Sequence, residues 1–419
     1  MSQVSMNSWY DDLETRDPAE RQNALVTAVA DLVAHAKANA PAYTELFKAV
    51  DPAAIDSAEA IARLPVTRKS ELLKLQQAQP PFGGFAALQG NALTHIFSSP
   101  GPIYEPGSIR RPDFWRLARA LHCAGFRAGD VVHNTFSYHL TPAGMMLESG
   151  AHALGCAVIP GGIGQTELQL QTIADLKPNA YVGTPSFLKI LLEKGEASGM
   201  DTSSFTHGLV SGEAYPPAFR TFFAERGITV YQCYATADVG LIAYETEAVE
   251  GLVVDEGVYL EIVRPGTGDP VAEGEVGEVL VTSLNPDYPL IRFATGDLSA
   301  IMPGGSPCGR TNQRIKGWMG RADQTAKVRG MFIRPEQVDK VVKRHPEILK
   351  ARLVVDWQNE ADQLTMHCEV ADGSAADTLS QQIAGSIREV CKVRGEVELC
   401  TIGSLANDGV VISDIRKYE

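Results

Sequence analysis

Hydrophobic positions along this chain follow two periods, and the change from one to the other divides it. Near the start, Leu25, Val29, Leu32, Val33 and Ala36 recur every three or four residues, which predicts an amphipathic helix. Asp17-Pro18-Ala19-Glu20 in front of them reads as an N-cap, an N1 proline and an N3 glutamate. "LPVTRKSELL", Leu64 to Leu73, predicts a second helix start with Thr67 as its cap. From about residue 110 short apolar runs alternate with helical stretches. "DVVHNTF", "CAVIPGG", "AYVGTP", "HGLVSGE" and "ITVYQCY" read as strands. Between them Ala143–Leu154, "TELQLQTIADL" (with Thr166 as cap), "PSFLKILLEKG" and "PPAFRTFFAERG" read as helices. Repeated strand–loop–helix units predict a mostly parallel, doubly wound sheet. Such sheets bind ligands beyond the carboxyl ends of their strands. The loops "SYHLTPAG", "GGIGQTE", "GTPS", "SGEAYPP" and "YATADVG" are therefore where chemistry is expected.

After residue 250 the pattern turns to short strands, "VYLEIVRP", "GEVLVTS" and "PLIRFAT", an antiparallel β region packed on the α/β body. From about Asp323 it changes again, to helix (Pro335–Lys343), strand (Lys350–Asp356), strand (Gln363–Val370), helix (Ala376–Val390) and strand (Glu396–Ile402). The predicted fold class is α/β with an added β region. Residues 1–320 form a large N-terminal domain and residues 321–419 a small, mobile α+β C-terminal domain. The Gly- and Arg-rich "GWMGRADQTAKVRG" joins them.

Length changes this picture little, since 419 residues already exceed one ordinary core. Charge narrows the partners. A net charge of −14 argues against nucleic acid or an anionic membrane as the main partner. No run of about 18 apolar residues predicts a membrane span. The acidic "MSQVSMNSWYDDLE" lacks the apolar core of a signal peptide. A cytoplasmic protein is expected. Its seven cysteines stand singly, with no CxxC pair, so reduced thiols are expected. A zinc site from scattered Cys and His has no spacing signal behind it.

Candidate chemistry begins at "HIFSSPGPIYEPGS", His95 to Ser108. Ser98-Ser99 suits a phosphate-binding loop, whose small residues let backbone N–H groups approach the phosphates. The continuation does not. Pro100, Pro102 and Pro106 remove N–H donors. Glu105 brings a negative charge, and the stretch has no Lys.

The run "YATADVG … LIRFATGDLSAI … GWMGRADQTAKVRGMFIRPEQVDKVV" resembles the adenylate-forming superfamily of acyl-CoA ligases, and within it the phenylacetate-CoA ligase group. "PGGIGQTELQLQTIADLKPNAYVGTPSFL" and "AHAKANAPAYTELF" fit the same group. The resemblance covers nearly the whole chain and implies the adenylate-forming ligase fold. Such enzymes join a carboxylate to AMP and then pass the acyl group to a thiol, the C-terminal domain swinging between the half-reactions. The resemblance implies that Asp297 in "TGDL" holds the ribose hydroxyls, with Arg321 in "GRAD" as its basic neighbour and Asp323 as the hinge. It places Gly212 and Glu213 of "SGEAYP" at the adenine wall and Tyr234 of "YATAD" in the nucleotide or CoA site. Asp238 stands where the family has a Glu that binds Mg²⁺. Tyr138, His139 and Thr141 correspond to the acyl pocket. His139 and Asp323 are the catalytic candidates. His133, in a presumed buried strand, reads as a satisfied core histidine. Cys233 is the best placed thiol for a covalent relay, and a buried structural role fits it better.

Two departures shape the functional expectation. One is the proline-rich loop. The other is "GSLANDGVVISDIRKYE", where the family places a Lys after a Gly. Here Gly409 precedes Val410 and Val411, and Lys417 lies beyond the "SDIR" that matches the family's closing strand. The expected activity is acyl, chiefly aryl, transfer from a thioester or a supplied adenylate to a thiol, either CoA or the phosphopantetheine of an acyl carrier protein. ATP and Mg²⁺ dispensability follows from the two losses. The alternatives are an ATP-dependent aryl-CoA ligase with compensating residues, for example Arg110 or Arg111, and a non-catalytic subunit that binds acyl groups or CoA.

Overall fold

The computed structural model describes residues 9–88, 92–99, 102–263, 268–322, 325–333, 335–358, 360–370, 376–405 and 411–416. The chain divides into two compact units, and the smaller begins at Gly320.

The first long helix, Pro18–Asn39, starts where its cap is written. Asp17 accepts from the amides of Ala19 (2.8 Å) and Glu20 (3.1 Å). Leu25, Val29, Leu32, Val33 and Ala36 are buried along one side. They share a core with Tyr43, Phe47, Val281 and Phe293.

The central sheet has nine strands. Five are parallel, in the spatial order Ala157–Pro160, Val131–Asn134, Ala180–Gly183, His207–Val210, Thr229–Thr236. Gly240–Tyr244, Leu252–Val254, Arg314–Ile315 and Ile301–Met302 extend it antiparallel. The central strand Ala180–Gly183 is buried at every position, as a sheet covered on both faces requires. A second sheet pairs Val258–Val263, Gly277–Ser283 and Phe293–Ser299 antiparallel and adds Thr67–Arg68 parallel at its edge.

Two helix starts differ from expectation. Thr67 does not cap a helix. Its β-branched side chain is buried in the edge strand opposite Phe293, where such residues pack well, and the helix Lys69–Ala78 begins after Arg68 without a side-chain cap. Thr166 is the first residue of its own helix, and Gln165, at φ +48°, precedes it. The proline-rich stretch is a hairpin, His95–Ser99 against Ile103–Gly107. Pro106 tolerates this because the hairpin is two-stranded, and each strand leaves one edge unpaired.

The second unit is a four-stranded sheet in the order Glu396–Cys400, Ala361–Val370, Ile348–Gln358, Ile412–Asp414. Leu353, Val355, Leu364, Met366 and Cys368 share a core with Ile383 and Ile387 of the helix Ala376–Cys391.

Candidate functional site

The strand ends converge through close packing. Gly183 ends the central strand, and a Cβ there would lie 1.9 Å from Thr135 Oγ1 and 2.2 Å from the Tyr181 hydroxyl. Only glycine lets these two groups meet, at 2.8 Å. One loop further on, Glu213 accepts from the Ser186 amide at 2.7 Å. It thereby caps the helix Pro185–Ser198 and fixes the loop that carries Gly212, whose φ of +88° suits glycine alone. Ser211 Oγ donates to the Cys233 carbonyl at 2.8 Å, which ties this loop to the next strand.

That strand delivers Tyr234. Its hydroxyl donates to Asp297 Oδ2 at 2.7 Å, and Trp318 Nε1 donates to Oδ1 at 3.1 Å. The Asp297 amide donates to Thr295 Oγ1, which donates to the Val279 carbonyl. Asp297 is thus a buried carboxylate that accepts from donors on two separate segments, with its own amide fixed by Thr295. Arg292, five residues before Asp297, points elsewhere. It is fully buried in a bidentate pair with Glu261, and it donates to the carbonyls of Ala62, Leu64 and Gly268. Its role is to join the second sheet to the N-terminal region.

The hairpin holds the main departure from the sequence reading. Glu105 is 1% exposed, and Ser99 Oγ donates to its Oε1 at 2.5 Å. Burial pushes the Glu105 carboxyl up to about 8, the charge of Asp238 adds to that, and Lys69 and Ser99 pull the other way. Glu105 therefore carries its proton at neutral pH and shows no negative charge to the loop's surroundings. A cation arrives from outside the stretch. Lys69, first residue of its helix, donates to Asp238 Oδ2 at 2.5 Å. Gln76, on the same helix, clamps the hairpin by accepting from the Tyr104 amide and donating to its carbonyl.

Three buried oxygens around this ion pair lack a partner among the described residues: Glu105 Oε2, Asp238 Oδ1 and the Tyr288 hydroxyl. Burial raises the Tyr288 hydroxyl pKa well above its usual range, and the charges of Glu105 and Asp238 add to the effect. Carboxylate and hydroxyl oxygens are the donors that Mg²⁺ takes, so the residues fit a hard cation. Sequence reasoning found Asp238 but missed Lys69 and Tyr288, which lie far away in sequence, and Trp318. A lysine at the first turn of a helix carries no signal of its own.

The remaining candidates fall apart from this group. Tyr138 donates to Glu148 at 2.7 Å, accepts from Asn134 at 2.8 Å, and stacks over Gly144, where a Cβ would meet its ring at 2.8 Å. His139 is exposed and Thr141 half-buried. Arg111 is held bidentate by Asp287. Arg321 lies over the Phe332 ring at 5.7 Å within the second unit. Asp323, Gly409, Val410 and Lys417 lie outside the described residues. His133 donates through Nε2 to Gln169 Oε1 at 2.7 Å, and Gln169 in turn holds the carbonyls of Gly162 and Gly164. His133 Nδ1 has no such partner, so this histidine is only half satisfied. Cys233 is fully buried, and burial pushes its thiol up to about 12. That is the state of an inert thiol.

Comparison with known proteins agrees with the layout. The AMP-binding enzyme model matches residues 114–285, and the AMP-binding enzyme C-terminal domain model matches residues 330–410. A phenylacetate-coenzyme A ligase of Aromatoleum evansii is 30% identical over 392 residues, covering 88% of this chain and 87% of its own length. One of Thermus thermophilus is 31% identical, covering 86% and 84%. A solved 2-hydroxyisobutyryl-CoA ligase, in complex with 2-HIB-AMP and CoA in the thioesterification state, superposes with a TM-score of 0.84. It shares 26% identity over 97% of this chain and 92% of its own. The chain therefore belongs to the AMP-binding, adenylate-forming enzymes, in their phenylacetate-CoA ligase group.

Proposed function

We propose that the protein is an ATP-dependent acyl-CoA ligase, which activates a carboxylic acid as its adenylate and passes the acyl group to CoA. Aryl acids of the phenylacetate type are the first substrates to consider, because relatives of nearly the same length carry that name. The observation that carries the reading is the Asp297 clamp. Transfer between two thioesters needs no nucleotide, yet this chain aims Asp297 with Tyr234, Thr295 and Trp318. The family resemblance gives that carboxylate to the ribose hydroxyls.

The neutral Glu105 and the imported Lys69 supply the rest. With Glu105 protonated, the loop repels no phosphate. The Lys69 ammonium replaces, from a helix, the positive charge the loop's own sequence lacks. Asp238 would hold Mg²⁺ through its unpartnered Oδ1, and the ion would neutralise phosphate charge. Acyl transfer then calls on oriented binding and on dipoles for a tetrahedral oxyanion. Cys233 takes no part, so the acceptor thiolate attacks the activated acyl group directly.

One observation favours a second reading, acyl transfer from a thioester to CoA or to a carrier-protein phosphopantetheine without ATP. Pro102 and Pro106 offer no N–H, and the Ser99 hydroxyl is spent on Glu105. The hairpin thus has few donors for a triphosphate. A single pair of assays separates the two. ATP–pyrophosphate exchange across a panel of aryl and short acyl acids, followed by CoA thioester formation, is expected to be positive for at least one acid. No exchange with any acid, together with acyl transfer from an aryl-CoA to a holo carrier protein without ATP, would replace the ligase reading with the second.

A further inference from the structure

In the second unit, strand pairing gathers residues that the sequence keeps apart. The strands Ala361–Val370 and Glu396–Cys400 run parallel with His367 opposite Glu398. Cys400 lies two residues beyond Glu398, hence on the same face. Met366 and Cys368 point the other way, into the core under the helix Ala376–Cys391. On the outer face, His367 Nδ1 lies 3.2 Å from Glu398 Oε2. One ligand atom from each of His367, Glu398 and Cys400 falls within 4.8 Å of the other two. Glu369 accepts from the Leu405 amide at 2.7 Å and so anchors the chain just past Cys400.

We propose that His367, Glu398 and Cys400 form a Zn²⁺ site. Imidazole, carboxylate and thiolate are the donors zinc takes, at about 2.0–2.3 Å, in a tetrahedron whose fourth position stays open to water or another ligand. Such a tetrahedron sets its ligands roughly 3.5 Å apart. The imidazole–carboxylate pair already meets that spacing, and small side-chain rotations bring in the sulfur. The thiol gives up its proton on binding, and the two anions then balance the charge of the ion. Magnesium and calcium, which prefer all-oxygen sites, are disfavoured by the sulfur and nitrogen. The ion would staple the edge strand Glu396–Cys400 to its neighbour, a few residues before the C-terminal segment in which the family carries its catalytic Lys.

The test uses the full-length, reduced, chelator-stripped protein. It is given one equivalent of ZnCl₂, dialysed and measured for metal, while iodoacetamide labelling of the Cys400 peptide is followed by mass spectrometry. Expected are about one zinc retained per chain and alkylation of Cys400 slowed about tenfold, zinc retention lost in Cys400→Ser, both effects lost in His367→Ala and both weakened in Glu398→Gln. All three side chains lie on the outer face of the sheet, so the variants keep the fold. Zinc that is not retained overturns the site. So does zinc retained equally by Cys400→Ser and His367→Ala, or alkylation of Cys400 indifferent to zinc.

Discussion

Lys69 and Glu105 decide how the hairpin can behave, and each yields a measurement. Lys69 is the hydrogen-bonded partner of buried Asp238. Removing one partner of such a pair typically costs about 3–5 kcal/mol, and removing one charge from a developing phosphate typically costs about 10²–10³ in rate. Lys69→Met is therefore expected to lower both stability and ATP–pyrophosphate exchange. Adding Asp238→Asn should restore the urea midpoint but not the exchange. If the double variant regains exchange, neither the Lys69 charge nor the Asp238 carboxylate serves the phosphate chemistry. Glu105 gives a pH signature. A glutamate in the unfolded chain loses its proton near 4.5, whereas folded Glu105 keeps it to about 8. Between these values the folded state holds more protons, so stability falls as pH rises and levels off above about 8. Asp113, raised by burial to about 7, acts in the same sense but ends lower. His122, lowered by burial to about 4, acts in the opposite sense and is finished by about pH 6.5. Comparison with Glu105→Gln isolates the part that belongs to Glu105. Between pH 7 and 8 urea midpoints should fall more steeply in the parent protein than in Glu105→Gln. Equal slopes would mean that Glu105 is ionised throughout.

The parallel sheet puts its demands on glycine at one point in particular. A Cβ at Gly183 would meet the Thr135 and Tyr181 oxygens at 1.9 and 2.2 Å, and the covered sheet gives neither room to move. Gly183→Ala is expected to cost about 3 kcal/mol or more, read as a lower thermal midpoint. A shift of under a degree would show that the strand end can spread. Elements of this kind were legible in the sequence because period and punctuation agreed. Pro185 and the apolar spacing after it mark one helix, which runs past Gly195, where the reading ends, to Ser198, and the buried run from Ala180 to Gly183 marks one strand. The short hairpin at His95–Gly107 was not legible as such. Its prolines argue against strands in general, and its pairing depends on Gln76, a residue that no local pattern connects to it. The candidate site followed the same rule. Asp297 and Asp238 sit in compact motifs, whereas Lys69, Tyr288 and Trp318 reach the site only through the fold. His367 and Cys400 are separated by a whole helix and become neighbours only through parallel pairing.

At the scale of the whole chain, the two units each own a core. Leu353, Val355, Met366, Ile383 and Ile387 close the smaller one without help, and its strands pair among themselves. The link between the units carries glycine where the backbone demands it. Gly317 and Gly320 take φ values of +88° and +128°, which residues with side chains rarely adopt. A protease needs several residues of extended backbone, which packed strands and helices do not offer. Lys316 donates its amide to the Ala300 carbonyl within the larger unit, and Arg329 is held through its amide and its guanidinium by Asp362 within the smaller. Trypsin at low ratio is therefore expected to cut first between these two residues, where one unit gives way to the other, and each fragment should keep its secondary structure by circular dichroism. If ATP and a carboxylic acid that supports exchange are bound, the rate of that cut is expected to change. A first cut between residues 110 and 240 would place the weak point inside the parallel sheet and overturn this division of the chain.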